Sequence, residues 1–290
     1  TYTPELLHGV IARRAALGIE RVVLHDPRVE RLAPVTHFCR RMAAAAGADA
    51  LRIDAEPLLD RALDGADFVV IQIRVGGQEG RHEDILLGLR HGLIGQETTG
   101  VGGFAKALRT VPVVLDIARR VEAICPDAWI LNFTNPAGLV TEALLQHGRE
   151  RCVGLCNVPI EMHMQVAELV GRPAEAVELD WVGLNHLGWV RRVLVDGVDV
   201  LPSFIEQVEA GISGPANIPE ITYPKGFLSA LGMIPSSYVR YFYATDAMLA
   251  ELKAAPRTRA EEVAEIEAKL LEVYADDTSP ATLPAELSKR

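Results

Sequence analysis

The fold turns on Asp67-Phe68-Val69-Val70-Ile71-Gln72-Ile73. Apolar residues follow one another without strict alternation, which suits a strand covered on both faces, as in a parallel sheet. The run stops in Arg74-Val75-Gly76-Gly77. Upstream, Arg21-Val22-Val23-Leu24-His25-Asp26 reads as a second strand, closed by Pro27. A helix is predicted over 33–46 and a short strand over Leu51-Arg52-Ile53. Before them, Thr3-Pro4-Glu5 reads as an N-cap with Pro at the first helical position. Leu6, Leu7, Val10 and Ile11 then share one face, and Gly18 ends the helix. Downstream come a long amphipathic helix over 104–124, a strand over 128–133 and a helix over 136–146. A strand over 151–156 and a helix over 160–170 complete the series. Such alternation means α/β with a mainly parallel sheet, Rossmann-like in order.

Past residue 170 the rhythm changes. Residues 189–195, Asp196-Gly197 and 198–201 read as a hairpin with a two-residue turn. A loop rich in Gly and Pro is expected over 211–224, and a charged helix over 259–274 with Val263, Ile266, Leu270 and Leu271 on one face. The expected division is a Rossmann-like α/β domain, 1–170, followed by an α+β domain, 171–290.

Composition narrows the function classes. The 290 residues can bury a sizeable core. Lys and Arg number 29 against 39 Asp and Glu, a formal charge of −10, and no basic stretch compensates. Nucleic acid is therefore a poor main partner. No apolar run approaches the ~18 residues that span a bilayer, and TYTPELLHG lacks the pattern of a secretory signal. Cys39, Cys125, Cys152 and Cys156 are too few and too irregular for a disulfide framework. Free thiols and a cytoplasmic setting are expected. The chain opens on Thr1 with no initiator Met and closes on Ser288-Lys289-Arg290, so truncation at both ends is expected.

Ligands of open parallel sheets collect beyond the carboxyl ends of the strands. Those ends hold Asp26, Arg74-Val75-Gly76-Gly77, Asn132 to Asn135, and Cys156-Asn157. Asp26 either takes the adenosine ribose hydroxyls of NAD or simply ends a strand before Pro27. The glycine fingerprint that decides between them would lie before Thr1. GLIGQETTGVGG (92–103) is either a connector or a lid over the cofactor, with Glu97 as its chemical group. A buried cysteine is ordinarily apolar filler, and Cys152 is read that way. Cys156, in GLCNVP (154–159), sits at a strand's mouth, and WVGLNHL (181–187) reads as another apolar strand, ending in Asn185-His186. A thiolate and an imidazole from two strand ends can hold one divalent ion and leave positions for substrate oxygens. Two ligands alone leave the filler reading open.

IRVGGQEGR (73–81), GLIGQETTGVGG (92–103), NFTNPAG (132–138), GLCNVP (154–159) and GLNHLGW (183–189) occur in that order. Together they resemble glycoside hydrolase family 4, whose members use NAD and a divalent metal. The resemblance runs on through Ile234-Pro235-Ser236-Ser237-Tyr238 and covers essentially the whole chain. Asn157, directly after the cysteine, resembles the 6-phospho-β-glucosidase branch; the α-glucoside branch carries Asp there. The resemblance implies oxidation of the sugar at C3 by NAD, metal-assisted proton removal at C2, loss of the aglycone, addition of water and re-reduction. It further implies Cys156 and His186 as ligands of Mn2+ or another divalent metal. Tyr238 would be the base, with Glu97 helping it lose its proton. Arg81 and Asn135 would bind the phosphorylated sugar, while Asp26, Ile73 and Asn135 would contact NAD. A homodimer or homotetramer is expected by analogy.

The same residues have plainer readings. Tyr238 could be a packing aromatic in YVRYFY (238–243), and Asn135 a helix N-cap before Pro136. Arg81, with His82, Glu83 and Asp84, could open a solvated helix, and Met162, His163 and Met164 read as helix packing. Two other functions compete: a 2-hydroxyacid dehydrogenase of the lactate/malate type, and an NAD-binding protein without turnover.

Overall fold

The computed structural model describes residues 2–207, 209 and 223–289. Most of the loop expected over 211–224 lies outside them. In chain order come α1 (Thr3–Leu17), β1 (Arg21–Leu24), α2 (Val29–Ala45), β2 (Arg52–Ala55), α3 (Leu59–Leu63) and β3 (Phe68–Ile71). Next are α4 (Gly77–Arg90), α5 (Gly100–Ile124), β4 (Trp129–Asn132), α6 (Ala137–Gln146), β5 (Cys152–Gly154) and α7 (Val158–Leu169). The rest comprises β6 (Val177–Leu184), β7 (Leu187–Val195), β8 (Val198–Asp199), α8 (Leu201–Gln207), α9 (Phe227–Leu231) and β9 (Ile234–Pro235). After a 3-10 turn at Ser237–Val239 come α10 (Arg240–Tyr243), α11 (Thr245–Ala254) and α12 (Arg259–Ala275).

The α/β alternation of the first 170 residues holds, with shorter strands than expected. The N-cap of α1 is Tyr2, one residue earlier than expected, with no capping hydrogen bond from its side chain. Its other end is as read: Gly18 is left-handed at φ 63, and its N–H donates to Arg14 O at 2.9 Å. α4 had not been foreseen as a full helix.

The chain divides into two compact units: Thr1–Val69, Leu115–Ile130 and Arg259–Arg290 form one, Val70–Val114 and Leu131–Thr258 the other. In the first, β1 and β2 pair in parallel from Arg21↔Arg52 to Leu24↔Ala55. Leu24 and Ile53 join Phe38, Cys39 and Met42 of α2 and Leu270 and Tyr274 of α12 in one core. The rings of Phe38 and Tyr274 lie 4.6 Å apart. Burying each such side chain is worth about 1.5–3 kcal/mol.

The next sheet has the order β3-β4-β5. Trp129 N–H donates to Asp67 O and Phe133 N–H to Ile71 O, so partners advance together and β3 and β4 are parallel. In the second unit β6 and β7 form a long antiparallel hairpin, and β8 and β9 each pair with β7. The Asp-Gly turn is as read, with Asp196 at φ 50 and Gly197 at φ 81. Val166, Val190, Val193, Phe204, Leu228 and Ile234 form the core beneath this sheet. Met162 is buried, but Met164 is exposed, so the packing role read for it does not hold. Among the described residues, no helix is long and apolar enough to cross a membrane.

The segment 92–103 is only partly a loop, because α5 already begins at Gly100. A Cβ on Gly102 would press on the carbonyl oxygens of Gln96 and of Asp84, the latter at 2.7 Å. Both are backbone atoms with little room to yield, so Gly102→Ala is expected to cost about 1–3 kcal/mol, as overpacking does. The check is a lower urea midpoint at unchanged slope.

Candidate active site

Three segments of the second unit meet around His186. β5 ends at Gly154, and Cys156 follows it directly ahead of Asn157, the N-cap of α7. His186 was read as lying at a strand's end. It lies instead in the two-residue reversal between β6 and β7, where Leu184 pairs with Leu187 and His186 takes a left-handed φ of 65. Cys156 Sγ is 3.4 Å from His186 Nε2. The pairing of β9 with β7 sets Ile234 against Val190, and Ser236 N–H donates to Gly188 O at 2.9 Å. Tyr238, two residues on, is 6 % exposed and stacks on His186 with ring centroids 3.7 Å apart and planes at 10°.

Burial lowers the His186 imidazole to about 4, so it is neutral at ordinary pH, the form that ligates metals. Burial pushes the Cys156 thiol above its usual value, against hydrogen bonds from Val158 N–H and the Asn185 side chain. Soft sulfur beside neutral nitrogen is a donor pair of the zinc class, and a harder ion such as Mn2+ would draw its remaining ligands from oxygens. Bonds of about 2.0–2.3 Å to one ion would separate two such donors by roughly 3–3.6 Å; the observed 3.4 Å fits. Among the described residues, no group of three or more His, Cys, Asp or Glu converges to hold a metal. A cation on this pair would have to complete its shell with substrate oxygens or water.

Glu97 is 4 % exposed, and three cations converge on it. Arg81 Nη2 lies 3.0 Å from Oε1, Lys106 Nζ lies 2.6 Å from Oε2, and Arg74 pairs with the same carboxylate. Burial pushes this carboxyl up, but Lys106, Arg74 and Arg81 overcome that and hold it well below the usual carboxylate range. Glu97 is therefore a fixed anion. Arg81, read as a candidate for a solvated helix start, is 5 % exposed on α4. Gln96 Nε2 donates to Tyr241 Oη at 3.0 Å, and the Tyr241 ring is 6.1 Å from that of Tyr238.

Two of the three glycines of IRVGGQEGR, Gly76 and Gly80, have a packing reason. The Arg109 guanidinium forms a two-point pair with Asp84, at 2.8 and 2.6 Å. It lies so close to Gly76 and Gly80 that a Cβ on either would sit 3.3 Å from one of its nitrogens.

Asn135 precedes a cis bond to Pro136, and Pro136, not Asn135, is the N-cap of α6. The cap expected of Asn135 is thus absent: its neighbour's ring has taken the position. Ile73 N–H donates to Thr134 Oγ1 at 3.0 Å, and Thr134 Oγ1 donates to Ile71 O at 3.1 Å. Asn132 Oδ1 accepts from Thr134 N–H, so Asn132 and Thr134 tie the ends of β3 and β4 together. In the first unit, Asp26 follows β1, half-buried, and accepts from Arg28 N–H at 2.9 Å, which closes a local turn. A carboxylate at that strand end suits the ribose of a dinucleotide.

A family model described as family 4 glycosyl hydrolase matches residues 1–172, and the model of that family's C-terminal domain matches residues 181–290. The chain belongs to family 4 of the glycosyl hydrolases.

One relative, the "Probable 6-phospho-beta-glucosidase" of Bacillus subtilis (strain 168), is 43% identical over all of this chain and 67% of its own length. A solved structure of the 6-phospho-beta glucosidase from Thermotoga maritima, with manganese, NAD+ and glucose-6-phosphate, is similar at 34% identity. Its TM-score is 0.90, over all of this chain and 67% of that one. The chain thus spans about two thirds of the length of these relatives. Lactate dehydrogenase from Eimeria maxima, at 15% identity and a TM-score of 0.51, shares the fold alone. The Rossmann-like expectation is met, and the dehydrogenase reading keeps only this distant likeness.

In this family 4 glycosyl hydrolase, reasoning from sequence overlooked Lys106 and Arg109 altogether, read Asp84 only as part of a solvated helix start, and named Asn132 and Thr134 only within a strand end. A signal for the first two was present: Lys106 and Arg109 are three apart on the mostly apolar first half of the amphipathic α5, where side chains so spaced share a face.

Proposed function

We propose that the protein hydrolyses 6-phospho-β-glucosides, with NAD and a divalent ion such as Mn2+ as cofactors. The observation that carries this reading is the meeting of Cys156, His186 and Tyr238, three residues from separate segments, with Sγ to Nε2 at 3.4 Å and the two rings stacked at 3.7 Å. The family and its relatives point the same way. Residues 1–170 are proposed as the dinucleotide-binding portion and 171–290 as the α+β portion of catalysis and assembly.

Bound NAD would supply a hydride acceptor that turns sugar C3 into a ketone, and a bound divalent ion would supply Lewis acidity at the neighbouring oxygens. Cys156 and His186 would hold that ion. Asp26 would take the adenosine ribose, with Ile73 and Asn135 beside the dinucleotide. Arg81 and Asn135 would orient the phosphorylated sugar. Tyr238 Oη would accept the C2 proton, made removable by the adjacent ketone. Its phenol must ionise well below the ordinary value of about 10 to do so at neutral pH. Glu97 would aid that ionisation indirectly, by fixing the cations around it. The free thiols suit a cytoplasmic setting. A homodimer or homotetramer belongs to the same proposal.

The deciding experiment incubates the protein with an aryl 6-phospho-β-glucoside, NAD, Mn2+ and a thiol reductant. Release of the aryl alcohol should stop when NAD is omitted or chelator is added, with no net NADH. Release indifferent to both removes the reading. NADH accumulating from a 2-hydroxyacid without metal would favour the dehydrogenase.

A further inference from the structure

The stretch Tyr238-Val239-Arg240-Tyr241-Phe242-Tyr243 is rich in aromatic rings, and the proposed chemistry uses only the first of them. The 3-10 turn Ser237–Val239 runs straight into α10, and Ala244 N–H donates to Arg240 O at 2.8 Å, so the backbone coils without a break. Residues three and four apart on such a coil are neighbours, about 5–6 Å apart at Cβ. Tyr241 and Phe242 therefore both share the face of Tyr238. Their surroundings differ. Tyr241 is tied inward, its hydroxyl accepting from Gln96 Nε2. Phe242 is 67 % exposed. Helical side chains lean back toward the N-terminus, and that lean carries the Phe242 ring over the turn that bears Tyr238.

A single exposed apolar residue is ordinary on a protein surface. What sets Phe242 apart is its support. Its ring meets that of Tyr243 at 5.2 Å and 73°, and Tyr243 meets Phe227 at 5.0 Å and 73°. Phe227 in turn stacks on Tyr223 at 4.5 Å and 16°. Tyr223 is buried in the core beneath the β6–β7 sheet, and Phe227 packs against that core. Aromatic pairs in these arrangements hold one another's orientation. The rings thus brace Phe242 from the interior outward and leave two thirds of it open. A surface held in place beforehand loses little freedom when a ligand settles on it.

We infer that Phe242, braced by Tyr243, is a specificity-determining residue: the platform on which the leaving group lies, through a flat apolar face. Such a face is offered by an aryl ring and by the C–H side of a second β-linked pyranose. This platform deepens the hydrolysis proposed above and presupposes that Tyr238 takes the C2 proton. The leaving group hangs on C1, the carbon bonded to C2. It therefore sits beside the base, within reach of a ring one helical turn away. Aromatic side chains commonly line ligand sites in this way.

Calorimetry on the NAD-loaded protein in chelator tests this without turnover, using 6-phospho-β-glucosides whose aglycone is methyl, phenyl or a 4-linked glucose. Wild type should bind a ring-bearing ligand about three- to tenfold more tightly than the methyl one, the scale of one aromatic contact. Phe242→Ala should remove that preference and leave affinity for the methyl ligand within about twofold. Phe242→Trp, which keeps a flat ring, should retain the preference. Whichever ring gains from Phe242, aryl or sugar, is the one the platform takes. A folded Phe242→Ala with the wild-type preference overturns the inference, and so does a wild type that prefers neither ring. Should the alanine variant fail to fold, Phe242→Leu, apolar but not flat, must lose the preference instead. If Phe242→Ala leaves every affinity alone but changes the mass of the assembly in light scattering, a second copy of the chain covers the ring, and the inference falls. A preference that depends on Phe242, in a protein that cleaves none of these glycosides once NAD and Mn2+ are supplied, would count against the proposed hydrolysis and leave the platform standing.

Discussion

Tyr238→Phe is expected to lower turnover of an aryl 6-phospho-β-glucoside by roughly 10²–10⁴-fold, the loss that accompanies removal of a positioned general base. Only the hydroxyl disappears. The ring that stacks on His186 at 3.7 Å is retained, and so is the apolar contact with Met248 in the small core around it. The variant should therefore keep its fold, and its affinity for Mn2+ should change little, because Cys156 and His186 are untouched. The loss should fall on kcat more than on KM, since a base acts chiefly in the transition state. Solvent deuterium gives the sharper reading. Wild type working in D2O should place deuterium at C2 of the product sugar, and the variant should place far less in the same time. A folded Tyr238→Phe that exchanges C2 at the wild-type rate would show that the proton leaves to another group.

Much of the scaffold was legible because its signals are local. DFVVIQI is apolar on consecutive positions and became β3; Asp196-Gly197 has the two left-handed residues that its hairpin requires. What escaped depends on distant packing. GGQEGRHEDILLGLR holds four glycines, poor helix formers, yet 77–90 is helical and its buried face carries Arg81 and Asp84. That face is fixed by Arg109 from α5, which no pattern within 77–90 discloses. Asn185-His186 is not a standard turn pair, so His186 was placed on a strand rather than at a reversal. Glu97 was legible as a chemical group but not in its state: its cations come from β3's end, α4 and α5, and only the fold assembles them. Cys156 was picked out by its place at a strand's mouth and was anticipated as a pair with His186, though the stacking of Tyr238 on His186 was not.

Cys156→Ser is expected to abolish the metal response while leaving the protein folded. The sulfur is not part of the main cores, and serine keeps the shape of the side chain with a smaller atom. The chemistry changes more than the volume. A thiol can ionise and offer a soft anion to a divalent ion, whereas a serine hydroxyl stays neutral and hard. Altering partners that merely orient a ligand typically costs about 10–100-fold in metal affinity, so losing a donor atom should cost at least that. Thermal shift reads this without turnover: an ion at about 100 times its Kd stabilises by about 2.7 kcal/mol, and that gain should vanish in the variant at the same Mn2+ concentration. The pH dependence has a definite sign. Burial holds the free Cys156 thiol protonated at neutral pH, so binding must release its proton. Affinity should then strengthen with rising pH, by about tenfold per unit while the thiol is protonated. His186, lowered to about 4 by burial, contributes no such slope above pH 5. The serine variant should show weak binding without the slope. If Mn2+ stabilises Cys156→Ser as much as wild type, with the same pH dependence, the ion is held elsewhere, and the proximity of sulfur to imidazole is packing alone.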